Sequence, residues 1–523
     1  MHTQQSNVVS IPTLPTPTIV KPALPEIHWC PSELPSTLKE ARKVLRDADL
    51  LFVFSGQLVE LVRKTPVTAR DMHSVSSDAL IIRRVELCRL PELLLQVMKF
   101  VNKKGDYIGA PTALIKSLIN SPDFAKPLTG LLEVPTITPD GINISKSGYN
   151  EATGLYCQFD DKLVTSLVEK ATHEDAVDAV RTLWAHLFID FPFKDDLNRD
   201  AALAMLLTAF QRKFLANAPG FMITATTQAS GKSTLADCCF QIAYGKPAAA
   251  ANWTNNQDEM GKYLLSILKE GHSGICFDNL PYGSNLDGDQ LAKVLTEELY
   301  QGRVLGSNKT CTTPTDALVV LTGNQLRAVN DMRSRLVPIN LEPHVDNPES
   351  RKFFHDDISS WVKENRHRLI FQVHQILLAW HCEGKGQPAK IESTRFPDWD
   401  RTVRQQMIWL GLKDPIELLR QNEGNDPEMD AQRDFLSAMH GAFKQNPVTS
   451  QRILSEVVGG TATDLQDSLI ELFDGSIPIA RDLGKKLSSL KGVVRGGLML
   501  KQQEKSDLSK KSAQWFVKSI GGE

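Results

Sequence analysis

One stretch, residues 221–235 (FMITATTQASGKSTL), constrains this chain more than any other. Residues 221–225 form an apolar run of strand type. Small residues follow, and Gly231-Lys232-Ser233-Thr234 opens a helical pattern. A strand that delivers such a loop into a helix N-terminus aims several backbone N–H groups at one point, where the helix dipole also favours negative charge. That is the context of a phosphate-binding loop. The expected nucleotide contacts are Thr227, Gln228, Ala229, Ser230, Gly231, Lys232, Ser233 and Thr234. Lys232 would reach the β/γ-phosphates of ATP, and Ser233 or Thr234 would offer a hydroxyl to Mg2+. The pattern G-x-x-x-x-G-K-[ST] is broken once, by Thr226 at the place of its first glycine.

Two further strand patterns follow. GICFDN ends in Asp278-Asn279, and DALVVLTGN ends in Asn324. Asp278 follows Lys232 at the same interval at which Asn324 follows Asp278. Strands alternating with helical segments imply a mostly parallel sheet, with ligands at the strands' carboxyl ends. Asp278 is suited to hold Mg2+ together with Ser233, as a Walker B aspartate does. Asn324 is suited to orient an attacking water or touch the γ-phosphate. Arg335, with Arg333 as the alternative, stands where an arginine could enter a neighbouring subunit's site as a finger. Each is an ordinary turn residue by itself; in this order after a GKS loop they point to an NTPase.

Composition sets the limits. The chain has 523 residues, 41% of them hydrophobic and 23% charged, enough for about three or four globular domains. Its formal net charge of −3 argues against nucleic acid coating the whole surface and leaves room for a local basic patch. Eight cysteines stand without a CxxC pair or a nearby histidine cluster, so neither zinc nor disulfides are expected. No apolar run reaches the ~18 residues of a membrane span, and a cytoplasmic protein without a membrane partner is expected.

Five regions are expected in order: a Pro-rich disordered leader (1–25), a mainly helical N-terminal domain serving oligomerisation or DNA contact (26–193), the nucleotide core (194–345), a helical domain (346–446) and a basic domain (447–523). GYNEATGLY, from Gly148, reads as a hairpin or tight connection. Asp160-Asp161 and Asp195-Asp196 read as loop charges, and no primase signature is visible in residues 1–190.

The order and spacing of the GKS loop, Asp278-Asn279 and Thr322-Gly323-Asn324 resemble the superfamily-three helicases of the AAA+ class, especially the primase-helicases of phages, plasmids and other mobile elements. The flanking segments 148–156, 191–193, 396–404 and 409–415 are similar to that family's helical surroundings, so the resemblance extends over roughly residues 140–520. It implies an α/β fold: a P-loop AAA+ core, a parallel sheet flanked by helices, between helical N-terminal and post-core domains. It also implies a hairpin between the acidic strand and Asn324 whose basic residue tracks DNA in a central pore. Lys309 matches that residue, with Arg303 as a second candidate. A homo-oligomeric ring is implied, expected to be a hexamer. Asn279 departs from the family, which has a water-polarising glutamate there; Glu259, Glu297 and Glu298 are the substitutes, and Glu259 is favoured.

Residues 481–518 carry ten Lys/Arg and three Asp/Glu. Residues 479–490 pattern as a recognition-type helix with Arg481, Lys485 and Lys486. Two strands follow around a wing carrying Lys505, Lys510 and Lys511, so a C-terminal winged helix on duplex DNA is expected. Together these features suggest an ATP-dependent DNA helicase or replication-initiation ATPase of a mobile element. The alternatives are a DNA-binding ATPase switch with weak hydrolysis and an AAA+ remodelling or antiviral ATPase.

Overall fold

The computed structural model describes residues 24–63, 80–159, 163, 167–303, 310–345, 351–386, 388–424, 427–459, 462–473, 475–503 and 513–520. Its centre is a five-stranded parallel sheet: β1 (Gly220–Ala225), β2 (Ala249–Ala250), β3 (Gly274–Leu280), β4 (Leu318–Asn324) and β5 (Leu336–Leu341). The order across the sheet is β2-β3-β4-β1-β5. These strands read as near-continuous apolar runs because helices cover both faces, as parallel sheets require. Helix α1 (Asp196–Gln211) leads into the sheet. α2 (Lys232–Tyr244) leaves β1, α3 (Gln257–Lys269) follows β2, and α4 (Asp289–Thr296) follows β3. α1 is buried almost all round, so it shows little amphipathic pattern. The mixed α/β architecture with a parallel sheet agrees with the reading of the sequence.

The expectation of a mainly helical region 26–193 is corrected. Strands Phe52–Phe54, Gln57–Arg63 and Leu80–Arg84 join Lys126–Pro127 in a four-stranded sheet, beside helices Leu34–Asp47, Leu90–Val97 and Thr112–Asn120. The first helix ends at Asp47, and Ser55-Gly56, both with positive φ, turn a tight hairpin. GYNEATGLY does form a hairpin, Gly148–Tyr149 against Leu155–Cys157. Asp195 is no loop charge: its side chain caps α1 by accepting the Asn198 N–H at 2.9 Å.

Packing also moves the expected boundaries. Residues up to Leu131 surround their own small cores. The core on one face of the sheet runs from Leu132 to Leu419, crossing positions 193 and 345 without a break. It includes helix His173–His186 packed on helix Arg366–Ala379. The C-terminal core begins at Ala431, in helix Pro427–Phe443, upstream of the expected start at 447. That unit contains helices Ser450–Val458, Thr463–Leu472 and Ala480–Leu490. An antiparallel sheet is made by Val448–Thr449, Gln514–Ser519, Leu498–Gln502 and Val494–Arg495, in that order.

Candidate nucleotide site

Residues 226–231 leave the carboxyl end of β1 as a loop closed on itself. Ser230, fully buried, donates its hydroxyl to the Thr227 carbonyl at 2.6 Å. Ala229 and Gly231 take positive φ (56° and 88°), and Gly231 caps α2 without any side-chain bond to the first-turn N–H groups. A side chain at Gly231 would meet the Phe191 ring at 3.4 Å in a left-handed backbone, so the position needs glycine. The loop therefore presents backbone donors at a helix N-terminus, which suits an anion.

Lys232 Nζ has one weak contact here, the Thr227 carbonyl at 3.4 Å. Partial burial lowers its pKa from the ordinary lysine value, while the Asp278 charge opposes that shift. A half-buried ammonium with so little local compensation fits a phosphate.

Asp278 lies just past Phe277, where the regular part of β3 ends and the register with β4 shifts. Its Oδ1 accepts the Ser233 hydroxyl at 2.6 Å and the Thr322 hydroxyl at 2.5 Å. Thr322 Oγ1 in turn accepts the Asn279 N–H at 2.9 Å. Three segments thus converge on one carboxylate: the start of α2, the end of β3 and the buried side chain of β4. Asn324 ends β4 directly beside Ala225, and its Oδ1 is buried without a hydrogen-bond partner. Among the described residues no cluster of three or more His, Cys, Asp or Glu could hold a metal alone. A hydroxyl and a carboxylate oxygen in contact suit Mg2+ that completes its shell with phosphate and water.

Sequence reasoning missed two groups. Thr322 holds Asp278; its signal was period-two alternation, which puts it on the same face as Asn324. Asp237, one turn beyond Ser233 on α2, is an exposed carboxylate whose pKa is raised above the ordinary value, by partial desolvation first and by the Asp278 charge second.

Other candidates lie elsewhere. Glu259 sits in the first turn of α3, exposed, with its carboxylate on Lys262 at 2.7 Å. It makes no contact with Lys232, Ser233 or Asp278, so the preference for it is not supported. Asn279 is exposed with φ 55°. Arg333 and Arg335 are each 8% exposed. Arg333 Nε donates to the Ala328 carbonyl at 3.4 Å, and Arg335 pairs with Asp331. Arg335 immediately precedes β5, and its carbonyl accepts the N–H of Gly220 at the start of β1. That is the opposite end of the sheet from the loop. Across a six-residue strand the separation is roughly 17–20 Å, so Arg335 cannot serve its own subunit's loop.

Arg303 is exposed at the end of Leu299–Arg303, which pairs with Thr310–Pro314. Lys309 lies outside the described residues, as do Lys505, Lys510 and Lys511. On helix Ala480–Leu490, Leu483, Leu487 and Leu490 face the core while Lys485 is exposed, 3.2 Å from Asp482, and Lys486 is half-buried. No described helix is long and apolar enough to cross a membrane.

No protein-family model and no curated protein matches this chain. Among solved structures it is similar to the apo A form of the NrS-1 C-terminal region, at 12% identity and TM-score 0.40, over 85% of this chain and 95% of that one. It is also similar to the SCCmec type IV Cch active helicase, at 13% and 0.34, over 90% and 97%. For the JCV helicase the values are 12% and 0.22, over 48% and 70%. At such identities and scores the likeness adds nothing to the functional reading, which stands on the site's own geometry.

Proposed function

We propose that this chain is an ATP-dependent DNA helicase or replication-initiation ATPase of a mobile element, working as a ring of identical subunits. The observation that carries the reading is the convergence of Ser233, Asp278 and Thr322 beside the Lys232 loop. In this reading the loop amides and Lys232 hold the β/γ-phosphates of ATP. Ser233 and Asp278 share Mg2+, which would neutralise charge on the phosphoryl group, and Asn324 orients water. Arg335 acts on a neighbouring subunit, consistent with its place far from its own loop. DNA meets Arg303 and Lys309, and duplex DNA meets the C-terminal unit, read as a winged helix, through Lys485, Lys486, Lys510 and Lys511.

Asn279 favours a second reading, a DNA-binding ATPase switch with slow turnover, because an amide cannot serve as a general base. One experiment decides between them: Mg2+-dependent ATP turnover with and without single-stranded DNA, for the wild type and Lys232→Ala. A motor turns over ATP faster with DNA, and the variant is inactive. A switch binds ATP but shows little turnover with or without DNA. Unchanged turnover in Lys232→Ala would overturn the assignment of the loop.

A further inference from the structure

Two arginines from distant parts of the chain share one carboxylate. Arg335, at the foot of β5, pairs with Asp331 Oδ1 and donates from Nη1 to the Asp331 carbonyl at 2.7 Å. Arg395, from the segment before the short helix Pro397–Trp399, approaches the same Oδ1 at 3.4 Å. The Arg335 side chain is 10% exposed, Arg395 is 40% and Asp331 is 61%. Arg335 Nε is buried with no hydrogen-bond partner.

This arrangement has one positive charge too many and an unused donor. Guanidinium forks favour bidentate oxyanions, and a buried N–H left unpaired is costly. Beside this pair lies a cavity of about 310 Å³ whose polar lining is Ser334, Glu392, Ser393, Thr394, Arg395 and Arg420. Arg420 is paired there with the Glu392 carboxylate, so Arg395 and the hydroxyls of Ser334, Ser393 and Thr394 are the groups left to meet a phosphate. The backbone of Arg335 is held by Gly220, which donates to its carbonyl, and the residue before Arg395 is held by the Asp400 carboxylate, which accepts the Thr394 N–H at 2.6 Å.

We propose that Arg335 and Arg395 form a paired-arginine site for the phosphates of a nucleoside triphosphate carried by a neighbouring copy of this chain, with Asp331 as the counter-ion that those phosphates displace. The neighbouring copy is required because the pair stands a strand's length from its own loop. The inference rests on the ATPase reading and adds Arg395 and Asp331 to it. Arg395, the more exposed of the two arginines, makes the first contact; Asp331 is a positioning residue.

Two measurements test it. The first is binding of tripolyphosphate to the full chain in a Lys232→Ala background, where the loop's own lysine is gone. Asp331→Asn should tighten binding about tenfold, and adding Arg395→Ala should reverse the gain. Binding indifferent to both changes overturns the site. The second is ATP turnover. Arg395→Ala should lower kcat at least tenfold with KM little changed, and Arg395→Lys should restore part of it. Mixing Arg395→Ala with Lys232→Ala subunits should recover activity, because some interfaces then pair an intact loop with an intact arginine. If Lys232→Ala abolishes turnover while Arg395→Ala stays within twofold of wild type, this inference fails and the ATPase reading stands. If Lys232→Ala leaves turnover unchanged, the ATPase reading itself has failed.

Discussion

At the scale of single residues, the site depends on a hydroxyl that never faces the ligand. Thr322 is fully buried, and its Oγ1 links the Asp278 carboxylate to the Asn279 N–H. Removing it leaves Asp278 with Ser233 as its remaining bond in this set, a group that Mg2+ would claim. Groups that orient a metal's ligands typically matter 10–100-fold. Thr322→Val, close in volume, should therefore lower kcat by about that factor, while Thr322→Ser retains most activity. Steady-state ATP turnover with a Mg2+ titration checks this; a Val variant as active as wild type, at the same Mg2+ requirement, would deny Thr322 its role. The residue was within reach of the sequence. Asp278 and Asn324 were read as strand ends, but the alternation placing Thr322 beside them was not pursued. Arg395 was not legible, because only the fold brings residues 331 and 395 together.

At the scale of elements, local pattern succeeded where a strand or helix has a single buried face, or none exposed, and failed where a short turn decides. β1 was legible as an apolar run entering a small-residue loop, and β3 and β4 as apolar runs ending in polar residues. Residues 52–63 were not, because the turn at Ser55-Gly56 is carried by backbone φ values that apolar periodicity does not report. Helix Arg366–Ala379 shows what burial does to a titratable group. His374 is fully buried, neither ring nitrogen has a partner, and desolvation lowers its pKa to about 4. Between the ordinary value of 6.5 and about 4 the unfolded chain binds a proton that the folded chain refuses. Stability is thus unaffected by this group above pH 6.5 and falls as the pH drops through that window. Between pH 7 and pH 5 the loss should be about 2 kcal/mol. Thermal unfolding of wild type and His374→Leu at both pH values measures it. The variant should lose less stability on acidification, and equal losses would show that His374 does not carry the effect.

At the scale of the whole molecule, the packing changes how the basic tail must be tested. Residues 481–518 carry ten basic and three acidic side chains, a local excess that a duplex contact would use. The composition shift near residue 447 invites a truncation there, but the core says otherwise. Phe435, Leu436 and Met439 on helix Pro427–Phe443 are buried against Leu469, Leu483 and Trp515. A chain ending at 446 would keep that helix and bare its apolar face, so lost activity would report aggregation. A chain ending at residue 424 removes the unit with its own core. Ten basic residues cannot all face one duplex, so roughly four to six phosphate contacts are expected. That corresponds to a log–log salt slope of about −4 to −5 for the full chain. The shortened chain should bind duplex more weakly with a flatter slope. Basal ATP turnover should survive, because the loop, Asp278, Thr322, Asn324, Arg335 and Arg395 all precede the cut. A salt titration of duplex binding for both chains is the measurement. Equal slopes would remove the C-terminal unit from the proposed DNA interface; a flattened slope with lost turnover would instead mean that this unit helps assemble the proposed ring, in which Arg335 and Arg395 would meet a neighbour's nucleotide.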